Sequence, residues 1–166
     1  MPNAKNSFFN RITLAICSSL NLEETLASCF THLKGKLPLD RLIFGALDPD
    51  HHSINHVAAV TASGPTTDAV CLALPQDIFE KLHRGITRDR LVPDTRKDEQ
   101  TAMVAPYVQN RGFSEILLFL QGHNDRPCYL VAQAKGVNRY TQEHFELLRS
   151  IREPLRIAMT NAIHHM

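Results

Sequence analysis

The architecture is decided by one stretch: Ser114-Glu115-Ile116-Leu117-Leu118-Phe119-Leu120-Gln121, then Gly122-His123-Asn124-Asp125-Arg126-Pro127, then Cys128-Tyr129-Leu130-Val131-Ala132-Gln133-Ala134. Two short apolar runs flank a cluster of turn formers, which reads as a β-hairpin. Both runs are apolar at odd and even positions alike. Neither face of these strands can then meet water, so the hairpin belongs in the centre of a sheet covered on both sides.

Downstream, Thr141 is placed to cap a helix, with Tyr140 and Phe145 in hydrophobic-staple positions. Leu148, Ile151, Leu155, Ala158 and Ala162 follow at alternating spacings of three and four, an a/d-like seam. Pro154 should kink this helix. Upstream, Arg41–Leu47 and Ile54–Ala62 are strands joined by the turn residues Asp48–Ser53. Two helices precede them. The first is expected over about Lys5–Ser19, with Phe8, Phe9, Ile12, Ala15, Ile16 and Leu20 at helical spacing. The second opens at Asn21, where Glu24 completes a capping box and Leu20 stands in the staple position. Leu22, Leu26, Cys29, Phe30, Leu33 and Leu37 mark its buried face, and Pro38 ends it.

The middle of the chain is less regular. Ser63–Thr67 reads as loop, Val70–Leu74 as a strand, and Pro75 opens a helix that runs to Gly85 on Ile78, Phe79 and Leu82. Ile86–Gln100 is polar, with an apolar island at Leu91-Val92. A short helix is expected from Thr101 to about Asn110, although it contains Pro106. Strands bracketed by helices argue for an α+β fold with a largely antiparallel sheet. No linker or repeat divides the chain, so residues 1–166 read as one domain with its core at about 7–164.

Composition narrows the function. Of 166 residues, 43% are hydrophobic and 21% charged, which suits a globular core and excludes a disordered chain. Eighteen basic residues against 17 acidic leave a net charge of +1. That balance speaks against nucleic acid as a partner, because phosphate binding needs a cationic excess. The densest basic stretch, Lys81–Lys97, is mixed with Asp89 and Asp94 and flanked by Glu80 and Asp98. The four cysteines form no C-x-x-C pair. Cys17, Cys71 and Cys128 stand among apolar neighbours and read as small hydrophobes. Neither a signal peptide nor a run of ~20 apolar residues is visible. The expectation is a cytoplasmic protein that touches no membrane.

Lys135-Gly136-Val137-Asn138-Arg139-Tyr140-Thr141-Gln142-Glu143-His144-Phe145-Glu146-Leu147-Leu148 resembles the junction of last strand and last helix in GAF domains. Asn21-Leu22-Glu23-Glu24-Thr25-Leu26 resembles the opening of that family's second helix, and Arg41–Leu47 its first strand. The segment Ile151–Ala162 is similar to GAF domains at the front of sigma-54-dependent transcriptional activators. The resemblance implies a GAF-like, profilin/PAS-like antiparallel sheet of about six strands, with the terminal helices packed on one face and a ligand pocket on the other. It also implies a bacterial sensory domain that binds a small-molecule effector and signals to an output ATPase or DNA-binding domain. Dimerisation through the terminal helices would use Phe9, Ile12, Ile16, Leu148, Ile151 and Leu155. The same stripes equally suit packing on the sheet.

Several chemistries of such domains are not matched here. In the cyclic-nucleotide motif, Lys135 and Tyr140 fit loosely, but Ala134 replaces the Asn, and His144-Phe145 replaces the acidic pair. No Cys is followed by His, as bilin attachment typically requires. Nothing marks an activated thiolate of the kind that reduces methionine sulfoxide. No cofactor and no catalytic residue is expected. His51-His52 reads as an exposed turn. His83, Asp89, Asp94 and Asp98 are the one conceivable metal donor set, and read equally well as a polar loop, so no metal is expected. Candidate pocket residues are Phe79, His83, Arg88, Leu91, Tyr107, Phe113 and Tyr129, with Arg88 or Arg90 as a clamp for a carboxylate or phosphate. The rival reading is a dimerisation or protein-interaction module whose interior is filled by side chains.

Overall fold

The structure is a computed structural model that describes residues 3–66, 70–108, 112–122 and 126–164. Thr67, the expected helix end at Gln109-Asn110, the turn residues 123–125 and His165 lie outside the described residues.

The chain opens with α1 (Ala4–Ile16) and α2 (Leu22–Lys34). α1 stops before Ser19 because serines take over its end: the Ser18 hydroxyl donates to the Ala15 carbonyl at 2.8 Å. Asn21 caps α2 by accepting from the Glu24 N–H at 3.0 Å. The expected return arm of that capping box is relayed. Glu24 accepts instead from the Ser19 hydroxyl at 2.6 Å, and that hydroxyl accepts from the Asn21 N–H at 2.9 Å.

Strands β1 (Arg41–Asp48), β2 (Ser53–Thr61), β3 (Gly64–Thr66) and β4 (Val70–Ala73) follow, then α3 (Gln76–Gly85), β5 (Arg90–Val92) and α4 (Glu99–Val108). The chain closes with β6 (Phe113–Leu120), β7 (Cys128–Lys135), α5 (Gln142–Ser150) and α6 (Arg152–His164). The sheet has seven strands among the described residues, because β3 forms within the segment read as loop and β5 within the stretch read as polar. All pairings are antiparallel, in the order β3-β2-β1-β7-β6-β5, with β4 also on β2. β5 is the apolar island, extended by Arg90 and laid on β6. α4 begins two residues earlier than expected because Asp98 caps it, accepting from the Thr101 N–H at 3.0 Å.

α5 and α6 are the two halves of the expected last helix. They part at Ile151, four residues before Leu155 and three before Pro154. Proline has no N–H for the Ser150 carbonyl and its ring crowds that turn, so the kink becomes a break. Thr141 caps α5 as expected. Its hydroxyl accepts from the His144 N–H at 3.3 Å, while His144 Nδ1 accepts from the Thr141 N–H at 3.1 Å. A histidine thus fills the place usually held by Glu or Gln.

The sheet separates two apolar layers. On one side Leu42, Phe44, Leu118 and Leu130 meet α1, α2 and α6 through Ile16, Leu26, Leu33 and Leu155. On the other, Ile43, Leu47, Tyr129 and Val131 meet α3 and α4 through Leu82, Ile86 and Val104. Ile12, Ile16, Leu148, Ile151 and Leu155 are all wholly buried within the chain. They are therefore core residues and not a dimer surface, which corrects that expectation. Of the six, only Phe9 is exposed. Cys17 and Cys71 are exposed, unlike the small hydrophobes they were expected to be, whereas Cys29 and Cys128 are buried.

Gly45 is fixed by its neighbour across the strand. A Cβ built there would lie 2.4 Å from the Tyr129 hydroxyl oxygen and 2.5 Å from its ring. The missing side chain is the space the tyrosine occupies. Gly45→Ala should therefore destabilise the fold by ~1–3 kcal/mol through overpacking. In a Tyr129→Ala background, denaturant titration should show most of that cost gone. At the other end of the chain, Thr141→Ala should cost ~1 kcal/mol by the same measurement.

Candidate functional site

Strand alternation brings a set of polar side chains onto the α3/α4 side of the sheet. Arg41 opens β1, and Ile43 and Leu47 follow it on the same face. Its register partner on β7 is Gln133, whose partner on β6 is Glu115. The three make a polar row across an otherwise apolar surface. Gln133 Nε2 donates to Glu115 Oε1 at 2.6 Å, and both residues are buried. His56 on β2 and Tyr129 on β7 flank Gly45, which is register partner to both.

α3 and α4 roof this floor with Leu82, Ile86, Val104, Thr101 and Gln100. Arg90, from β5, lines the same space and is held by two acceptors, the Asp98 carboxylate and the Gln100 side-chain oxygen. Between floor and roof lies a partly enclosed cavity of about 90 Å³. For scale, an engineered apolar cavity that holds benzene measures about 150 Å³.

His56 stands out electrostatically. Its Nδ1 is buried and has no hydrogen-bond partner among the described residues. Burial and then the positive charge of Arg41 hold the ring well below the usual histidine range, at about 4. The imidazole is thus neutral at pH 7. Arg41 itself makes no ion pair among the described residues. Burial pushes the Tyr129 hydroxyl up, so it stays a neutral phenol.

Most of the expected pocket residues lie elsewhere. Tyr129 lines the cavity. Phe79 is buried in the same layer but turns its ring to His52, at 5.3 Å, and to His83, at 5.8 Å, in a separate groove beside Pro49 and Arg84. Arg88 and Tyr107 are both exposed and are not part of the cavity wall. Leu91 packs against the opposite, helix-covered face, because one step along β5 reverses the side. Phe113 is half-buried at the start of β6 and is not part of the cavity wall. Arg41, His56, Glu115 and Gln133 were missed. Their signal was single polar residues inside strands that are otherwise apolar, legible only once register puts them on one face.

The one conceivable metal donor set is dispersed. Asp94 is chelated by Arg96, with contacts of 3.0 and 3.1 Å. Asp98 serves Arg90 and the α4 cap. Asp89 accepts from the Phe119 N–H at 3.0 Å and from Arg149 Nε at 3.2 Å, and Arg152 reaches the same carboxylate. Among the described residues no cluster of three or more metal-ligating side chains is found. His51 is exposed in the turn, bonded through Nδ1 to Asp48 at 2.9 Å. Burial pushes the Cys29 thiol up to about 12 and the Cys128 thiol to about 11, so neither is an activated nucleophile. No helix among the described residues is long and apolar enough to cross a membrane.

Solved structures match along nearly the whole chain. The GAF domain from an Acinetobacter phosphoenolpyruvate-protein phosphotransferase superposes with a TM-score of 0.70 at 17% identity, covering 99% of this chain and 97% of that one. The chain has a GAF fold. The phycocyanobilin-bound GAF domain from a cyanobacterial phytochrome gives 0.64 at 17% identity, covering 99% and 98%. The free methionine-R-sulfoxide reductase from Neisseria meningitidis, in complex with its substrate, gives 0.63 at 14% identity, covering 100% and 96%. No family model matches the sequence, and no curated protein does. Within this GAF fold the cavity sits between the sheet and the middle helices.

His56 yields a pH prediction. Its pKa is depressed in the folded state, so below pH ~6.5 the unfolded chain takes up a proton that the folded chain refuses. Stability should fall as pH drops from about 6.5 to about 4. A His56→Phe variant should lose part of that slope in denaturant midpoints taken across the range.

Proposed function

We propose that this GAF-fold chain is a sensory domain, not an enzyme, and that it binds a small-molecule effector in the cavity between the sheet and α3/α4. The observation that carries this reading is the set of polar groups placed in an otherwise apolar cavity. Buried polar atoms without partners cost ~1–3 kcal/mol each. A fold that keeps such an atom, His56 Nδ1, within electrostatic reach of an Arg41 that forms no ion pair among the described residues gains by having a ligand satisfy both.

The structure also supports a route from that site to the last helices. Arg90 in the cavity wall is the sequence neighbour of Asp89. Asp89 ties β6 to Arg149 and Arg152, on either side of the α5/α6 break. A ligand that shifts the β5 segment would change this clamp, and so the angle of α6. It can do so only through different affinity for two packings. The similarity of Ile151–Ala162 to GAF domains of sigma-54-dependent activators makes transcriptional control in a bacterial cytoplasm the output we favour, with ATPase and DNA-binding domains as partners.

The second reading is an interaction module without a ligand. The small cavity favours it, since about 90 Å³ leaves most of the interior filled. A homodimer would then use the apolar residues still exposed on the terminal helices, Phe9, Leu14 and Ile157.

A thermal-shift screen of metabolites and nucleotides separates the two. A binder at a hundredfold excess over its Kd should stabilise by ~2.7 kcal/mol. The shift should vanish in Val104→Trp, which fills the cavity. With a binder in hand, hydrogen exchange in α6 should respond to it in the wild type and not in Asp89→Asn. Silence from a folded, dimeric protein in light-scattering measurements would sustain the second reading.

A further inference from the structure

We infer that the cavity recognises a short-chain monocarboxylate, its oxygens held by Arg41 and His56 and its alkyl tail lying against Ile43, Ile54 and Leu82. This rests on the effector reading above and specifies its ligand.

The charge pattern selects an anion at one place. Arg90 is occupied by Asp98 and Gln100, and Glu115 already accepts from Gln133. Arg41 is the cation of the wall that forms no ion pair among the described residues, and its guanidinium can bind a carboxylate through two parallel N–H donors. His56 lines the same cavity, and its Nδ1, without a partner among the described residues, can donate as the Nδ1–H tautomer. Burial and then the positive charge of Arg41 keep this ring neutral, and the second of these places the two groups within electrostatic reach of each other. An anion between them would satisfy both at once.

The rest of the wall selects the tail. Ile43, Leu47, Ile54, Leu82, Ile86, Val104, Leu117 and Val131 make up half of the residues that line the cavity. An inorganic oxyanion would leave that surface facing nothing, whereas a short alkyl chain covers it. Size sets the limit. If about 150 Å³ holds the six carbons of benzene, about 90 Å³ holds about four heavy atoms. Acetate, with four heavy atoms, meets this limit; propionate, with five, exceeds it by one methyl group, which the open side of this partly enclosed cavity can take; hexanoate, with eight, does not fit.

The test is an NMR titration of the labelled wild-type chain with acetate, propionate, hexanoate, propionamide and nitrate. Backbone shifts and the His56 ring nitrogens are read. Propionate should bind saturably and move the His56 Nδ1 resonance. Propionamide, the same shape without charge, should bind at least tenfold more weakly, and hexanoate likewise. Arg41→Gln should weaken propionate at least tenfold while leaving the fold intact in its amide spectrum. Equal binding of propionate and propionamide overturns the inference, as does binding of nitrate alone. Failure of every carboxylate overturns it too. If a different metabolite then shifts the melting point of the wild type and not of Val104→Trp, the effector reading stands without it.

Discussion

A sheet covered on both sides gives its central strands no face where a polar side chain can be solvated. β1, β7 and β6 live under that constraint, and most features of the molecule follow from it. Their residues on the terminal-helix side are uniformly apolar or small, from Leu42 and Phe44 to Ile116, Leu118, Leu130, Ala132 and Ala134. Every polar residue these strands carry toward α3/α4 must be paired there or left at a cost. Glu115 and Gln133 answer it by bonding each other. Tyr129 answers with burial over Gly45, whose lost side chain makes room for the ring. His56, on neighbouring β2, answers by giving up its charge.

The two covering layers are built differently. The terminal helices form a layer of large apolar side chains buried against the sheet and one another. The middle layer is thinner, made of two short helices and the β5 edge strand, and held by charge as much as by apolar contact. Arg90 with Asp98 and Gln100 fastens β5 to α4, and the Asp98 cap starts that helix. This layer contributes the smaller set of buried apolar residues, and the cavity falls on its side of the sheet. Asp89 links the two layers. It sits at the entry to β5, yet its carboxylate holds arginines of α5 and α6.

The helix ends were mostly legible before any coordinates, since they depend on contacts three or four residues apart. Asn21, Thr141 and Pro154 each act where local chemistry puts them. Glu24 shows the limit. Its partner is Ser19, outside the motif, because a hydroxyl two residues before the cap reaches both groups first. The terminal stripes were legible as apolar faces but not as to their target. Periodicity shows that Ile12 and Leu155 are buried, not whether a second copy or the chain's own sheet buries them.

The cavity was not legible in the same way. Phe79, Leu91 and Tyr107 have the right chemistry for a pocket, but which face a side chain takes is set by register and by where α3 and α4 dock. One residue along β5 separates Arg90, in the cavity, from Leu91, in the opposite core. Arg41, Gln133 and Glu115 are over ninety residues apart at their extremes and become neighbours only through two antiparallel pairings. The sequence alone determined the elements, their caps, the two-sided sheet and the α+β class, because those follow from short-range stereochemistry and the pattern of apolar residues. Only the tertiary structure decided which polar side chains share one enclosed space, because that depends on long-range strand register, which no local interaction encodes.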